Sequence, residues 1–283
     1  MKPFDFNIHP NTANLTCIGS GAEPMVDLEF SLDPDELYSS LTQSSISEFW
    51  SQHISGFNCM IFSSYFQKNP HDIGQFTDKL KYFCGNANLV IQFTLLVDPR
   101  SDCSYEQLFD AYSRAGVKFI KFHSYHQHID KDLIPSCIQI AEIAQLYNIG
   151  ICIDASYGSL GIFKYDNLLL VSEILSYVKD VPVVILHCGG LRCYEAVLIA
   201  LDSKNAYIEL SFSPHFYRGT EVYNRFIDIL KMFPIERFLY ASDYPYVSLD
   251  ESVDTIKTLL STAFLSLPAI EKVFHRNALL LFN

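Results

Sequence analysis

Side chains able to bind a metal or move a proton stand at the ends of short apolar runs in this 283-residue sequence. Asn7 and His9 close the first run, Lys121 and His123 the fourth, Asp154 the fifth and His187 the sixth; Ser211 and Ser213 follow the seventh and Asp243 the eighth. Imidazoles, carboxylates and an amide in one cavity can hold one divalent cation, or can run acid–base chemistry without it. Residues i and i+2 of a strand project to the same side, so Asn7 with His9, and Lys121 with His123, can share a cavity. Asp154 follows Ile-Cys-Ile, where an unpartnered carboxylate would be expensive. It therefore needs a site role or a helix to cap. Lys121 either pairs with such a carboxylate or acts as a fixed cation that polarises substrate.

The runs that carry these groups span 4–9, 58–62, 89–96, 119–123, 150–154, 183–187, 207–210 and 238–241. They are nearly continuous in Val, Ile, Phe and Leu, as strands buried on both faces should be. Helical patterns lie between them at 104–115, 133–148, 168–178, 195–203 and 223–233. Pro135 fits a first helical turn, and Asn148-Ile-Gly150 fits a helix stop. Eight strands alternating with helices make either an open doubly wound sheet or a (β/α)8 barrel. No G-x-G-x-x-G follows the first strand, so the dinucleotide fold has no support. The expectation is an α/β protein, a (β/α)8 TIM barrel in a single domain over 1–283. All the strand-end polar groups then fall on the one face where barrel active sites are built.

Composition narrows the partners. With 49% hydrophobic and 18% charged residues the chain is a packed globular protein. Twenty Lys and Arg against 32 Asp and Glu give a net charge of −12, a field that repels a nucleic-acid backbone. The expected partner is a small-molecule substrate, an anionic one included, and a homo-oligomer is compatible with the sequence. None of the eight cysteines forms a C-x-x-C pair, which excludes zinc ribbons and fits a reducing compartment. Asp5 stands where a signal peptide would be apolar, and no apolar run approaches the ~20 residues of a membrane span. A cytoplasmic location without membrane contact is expected.

Four segments, in order along the chain, resemble the amidohydrolase superfamily, in the branch that includes aromatic-acid decarboxylases and pyrone-dicarboxylate lactonases. Phe4-Asp-Phe-Asn-Ile-His-Pro10 is similar to the first-strand H-x-H segment, and Gly116-Val-Lys-Phe-Ile-Lys-Phe-His123 to the fourth-strand G-x-x-x-I-K-x-H stretch. Val184-Ile-Leu-His-Cys-Gly-Gly190 resembles the sixth-strand histidine with its glycines, and Arg237-Phe-Leu-Tyr-Ala-Ser-Asp-Tyr-Pro245 the eighth-strand S-D-x-P. The closing Asn277-Ala-Leu-Leu-Leu-Phe282 is also typical of the family. The resemblance implies a metal site of His9, His187 and Asp243, with Asn7 and Asp154 in place of two of the family's histidines. One divalent ion (Zn, Mn or Mg) would sit there, and the extra carboxylate would make it a weaker Lewis acid.

The leading expectation is a metal-assisted hydrolase or decarboxylase of a small carbonyl or carboxylate compound, with Asp243, His187 and Lys121 catalytic. His123, Arg192 after the glycine pair, and His215, Tyr217 and Arg218 after the seventh strand are candidate substrate contacts. The first alternative is a metal-free lactonase-like hydrolase, since the family includes members without the ion. There Lys121 or Arg192 supplies positive charge, Asp243 or Asp154 activates water and His187 polarises the carbonyl. The second is a ligand-binding barrel that has lost its chemistry.

Overall fold

The computed structural model describes residues 2–9, 33–42, 50–156 and 164–282. Pro10 of the first-strand motif and Cys17 lie outside them. Eight strands follow the expected order: β1 (Phe4–Ile8), β2 (Gly56–Ile61), β3 (Val90–Leu96), β4 (Phe119–His123), β5 (Gly150–Asp154), β6 (Val183–Ile185), β7 (Ala206–Glu209) and β8 (Phe238–Leu239). Each pairs in parallel with the next, so the sheet order is the chain order. The sheet closes through a parallel bridge between Ile8 and Tyr244 and through Phe6 N donating to Tyr240 O at 3.1 Å. The chain is a (β/α)8 barrel.

Outside the strands lie α1 (Pro34–Thr42), α2 (Ile73–Asn86), α3 (Tyr105–Ala115), α4 (Ile134–Leu146), α5 (Asn167–Tyr177), α6 (Cys193–Leu201), α7 (Glu221–Met232) and α8 (Leu249–Thr262). Local chemistry sets their ends. Ser104 caps α3 by accepting from Gln107 N, and Gly116 ends it in the left-handed conformation with φ 79°. Asn148, with φ 56°, turns the chain out of α4 into β5. Gly150 is tied to its place because a Cβ there would stand 2.4 Å from the Phe119 ring. No helix among the described residues is long and apolar enough to cross a membrane.

Two apolar layers hold the barrel. One lies between strands and helices, and the other fills the interior with Phe4, Phe6, Phe119, Leu239 and Phe282 among its members. Phe282 comes from a last helix, α9 (Asn277–Phe282), whose ring lies 5.3, 5.8 and 5.8 Å from those of Phe4, Phe6 and Phe119. It plugs the end of the barrel where strands begin. Asn277 fixes that helix by donating to the carbonyls of Ile235 and Phe238, both at 2.8 Å, which gives the closing motif a physical role. Above the filled lower half, the titratable groups gather at the opposite mouth.

Four strands are shorter than their apolar runs. The sixth stops at Ile185 rather than 187, the eighth at Leu239 rather than 241 and the first at Ile8 rather than 9, while the third begins at Val90 rather than 89. In the first two the chain leaves the ladder while still apolar and bends through left-handed residues, among them His187 and Asp243. Composition reports burial, not ladder hydrogen bonds, so it overruns the strand.

Candidate active site

Asp154, at the end of β5, is the centre of the mouth. Its Oδ2 lies 3.0 Å from His187 Nε2, 3.3 Å from His123 Nε2 and 3.4 Å from Lys121 Nζ. Its Oδ1 accepts from Ser156 N at 3.0 Å and from Ser156 Oγ at 2.5 Å. Lys121 and His123 reach it from β4, where their i, i+2 spacing puts both side chains on the inner face. Phe62 roofs the lysine, with its ring centroid 4.5 Å from Nζ, and meets the His9 ring edge-on at 4.6 Å.

His187 owes its position to a turn. After β6, residues His187, Cys188 and Gly189 all take left-handed φ values of 57°, 58° and 73°. Such a conformation costs about 1–2 kcal/mol for each non-glycine residue and needs support from outside. Glu209, fully buried at the end of β7, supplies it: Oε2 accepts from His187 N at 2.8 Å, and Oε1 from Ser211 N at 2.9 Å. The imidazole is then held between Ser211 Oγ (2.9 Å from Nδ1) and Asp154.

A second group forms where β1 meets the segment after β8. Asn7 Nδ2 donates to Asp243 Oδ1 at 3.1 Å, and His9 Nε2 lies 3.5 Å from the same oxygen. Asp243 is also left-handed, with φ 62°, and its N donates to Asn7 O at 2.9 Å. The side-chain amide oxygen of Asn7, Oδ1, is buried and has no hydrogen-bond partner among the described residues. Behind this group Asp5 Oδ1 accepts from Asn7 N and Ser242 N, which locks β1 to the turn carrying Asp243.

The electrostatics follow from burial and neighbours. Burial opposes ionisation of Asp154, but His123, His187 and Lys121 outweigh it and hold its carboxyl well below the usual range. Burial alone would lower His187; Asp154 and Asp243 outweigh it and push the imidazole up to about 9. His123 shares the carboxylate yet goes the other way. Burial drives it well below the ordinary histidine value, only partly opposed by Asp154 and reinforced by His126 and Lys121. One carboxylate cannot keep two imidazoles and an ammonium charged together, and His187 has Asp243 and Glu209 as further anions. Asp243 is lowered, because His187 and the His9 hydrogen bond overcome its burial. Burial pushes Asp5 up to about 7 and also raises Glu209.

Seven expected positions thus come together: Asn7, His9, Lys121, His123, Asp154, His187 and Asp243. Four others are placed differently. Arg192 is clamped by Asp166 (2.7 Å) and Glu195 (2.6 Å), and Arg218 pairs with Asp254 at 3.2 Å. His215 faces Thr255 at 3.3 Å, and Tyr217 packs edge-on against Phe216. Sequence reasoning missed Glu209, Phe62 and the structural part of Asp5. A carboxylate inside the apolar stretch Tyr207-Ile-Glu-Leu210 was the available signal for Glu209, by the same burial argument that singles out Asp154.

Eight parallel strands enclosed by helices, with these groups at the carboxyl-terminal mouth, define a barrel of the enzyme-bearing kind. A profile of the amidohydrolase family matches residues 69–283, and the chain belongs to that family. Among solved structures it is similar to an uncharacterised TIM-barrel protein from Bordetella bronchiseptica, with 15% identity and a TM-score of 0.65 over 99% of this chain and 98% of the other. A protein described as a probable 2-pyrone-4,6-dicarboxylic acid hydrolase from Acinetobacter baumannii, with citric acid bound, shows 14% identity and a TM-score of 0.66, covering 100% and 99%. A dihydroorotase from Campylobacter jejuni shows 12% identity and a TM-score of 0.62, covering 99% and 83%. Likeness at that identity shows the shared barrel. No curated protein matches the sequence.

Members of the superfamily often use a divalent metal. The donors present here do not fit one. Asp154 Oδ2 already serves three nitrogens, and the Lys121 ammonium at 3.4 Å would stand beside any dication that it held. Asn7 turns its amide nitrogen, not its oxygen, to Asp243. Among the described residues no group of three or more His, Cys, Asp or Glu is arranged to hold an ion.

Proposed function

We propose that the protein is a metal-independent hydrolase that opens a small ester or lactone at the barrel mouth. The observation that carries this reading is the convergence of Lys121, His123 and His187 on one oxygen of Asp154. That arrangement puts fixed positive charge where a relative would place an ion. Lys121 keeps ammonium hydrogens beyond the one aimed at Asp154, and these donate to the carbonyl oxygen of the substrate. His187, held at both nitrogens, adds its charge to the same region.

Asp243 is the general base. It takes a proton from a water whose oxygen bonds to the carbonyl carbon, while the carbonyl π pair moves onto the oxygen facing Lys121. The open amide oxygen Oδ1 of the Asn7 side chain, beside Asp243, accepts the water's second hydrogen. When the tetrahedral adduct collapses, the ester C–O bond breaks and the protonated Asp243 returns its proton to the leaving oxygen. Asp154 stays ionised throughout.

The test is hydrolysis of a panel of small lactones and esters by the wild type and by Asp243→Asn. The wild type should turn over at least one member, and the variant should lose about 10²–10⁴ in kcat, the range for removing a general base. Equal rates for the two proteins would refute the assignment.

A further inference from the structure

The positive charge available to a substrate in this barrel is unusually easy to count. All 20 Lys and Arg lie in the described residues, because segments 10–32, 43–49 and 157–163 contain none. Lys121 is the one basic residue (Lys or Arg) within the eight strands. Lys68, Lys131 and Lys164 lie on segments that follow strand ends, but all three are exposed. Three arginines lie on such segments as well, and each is engaged elsewhere. Arg192 is held by Asp166 and Glu195, and Arg218 by Asp254. Arg100 is bound by Asp98 and the backbone carbonyls of Gln127 and His128. Arg114 and Arg225 stand on α3 and α7, and Arg237 and Arg276 at the opposite end of the barrel. Inside the mouth Lys121 is already engaged by Asp154, and the carboxylate of Asp243 stands nearby, so no cation is left over for an anionic group of the substrate. No guanidinium is free to take a carboxylate bidentately.

Flat aromatic faces flank that centre instead. On one side the Tyr125 and His126 rings, 4.6 Å apart, each stand edge-on to His123, at 4.3 and 4.2 Å. On the other, Phe212 lies 6.1 Å from the His187 ring and is stacked on Phe216 at 5.6 Å and 15°. Phe212 has φ 48° and ψ −66°, a strained conformation for a phenylalanine, held by the tight turn in which Ser213 N donates to Ser211 O.

We propose that the substrate is a flat, largely apolar ring ester with at most one carboxylate, its carbonyl on Lys121 and its ring between Phe212 and Tyr125. The identity of the reacting group rests on the hydrolytic reading; the charge limit and the ring contact do not. A second carboxylate would be stripped of water beside Asp154 and Asp243, with no open guanidinium and no second buried ammonium among the described residues to receive it.

Lactams resist turnover and so separate binding from chemistry. Calorimetric titration of the wild type with 2-quinolone, its 4-carboxylate and its 4,7-dicarboxylate should give affinities within about tenfold for the first two, and about 10²-fold weaker binding of the third. Phe212→Ala should weaken the first two by about tenfold, with the melting temperature unchanged. Tighter binding of the dicarboxylate, no binding of any of the three, or full affinity in Phe212→Ala would each overturn the proposal. Binding in the expected order by a protein that hydrolyses no lactone would uphold it while refuting the hydrolytic reading.

Discussion

A lysine, two histidines and one carboxylate oxygen decide the character of the mouth. Lys121 is fixed by Asp154 and by the face of Phe62, and in the proposed hydrolysis it is the cation on which the developing oxyanion depends. Lys121→Met should therefore lower kcat/KM by about 10²–10³ without loss of the barrel. The pH profile follows from the two groups whose values are displaced. Asp243 is ionised from below the usual carboxylate range, so the acid limb should lie at or below it. His187 is charged until pH rises through about 9, so the rate should stay level across neutrality and fall there. A limb rising near ~7, as for an ionising metal-bound water, would contradict the account. The residues at strand ends were legible in the sequence because each interrupts an apolar run. Glu209 carried only its burial as a signal and Phe62 none, because the groups they touch, His187 for the one and Lys121 and His9 for the other, come from other strands and meet them only in the closed barrel.

Between the residues and the barrel stand two left-handed turns, at His187–Gly190 and at Asp243, and the seam of β1 against the segment after β8. The seam gives a stability prediction. Asp5 is fully buried and its value is pushed up from 3.8 to about 7, so the native state holds its proton more firmly than the unfolded chain does. The stability linked to that proton is complete below about 4 and is lost as pH rises through about 7. Asp5→Asn keeps an oxygen for Asn7 N and Ser242 N and removes the titration. It should raise stability over the wild type by roughly 2–4 kcal/mol at pH 8, and by much less at pH 4, in urea unfolding. A pH-independent difference would show that Asp5 is not the group responsible. The sequence indicated where these strands lie and overran their ends. The turns were invisible because a left-handed histidine or aspartate needs support from another strand, which no local pattern encodes.

At the scale of the whole molecule the barrel is divided into a plugged end and a reactive end. The order of eight apolar runs made the fold legible, since burial on both faces is a compositional signal. The plug was seen in the sequence only as a closing motif, and its packing against Phe4, Phe6 and Phe119 appears with the closed barrel. Phe282→Ala should remove about 3–5 kcal/mol of stability while leaving KM and kcat of the remaining folded protein unchanged, because the mouth is at the other end. The central claim is that fixed side-chain charge, led by Lys121, does the electrostatic work of this site. Its most direct test is lactone hydrolysis by protein stripped with chelator and checked for metal by mass spectrometry. The account predicts full activity in the stripped protein and loss of it in Lys121→Met. Activity that disappears on stripping and returns with zinc, manganese or magnesium would contradict it.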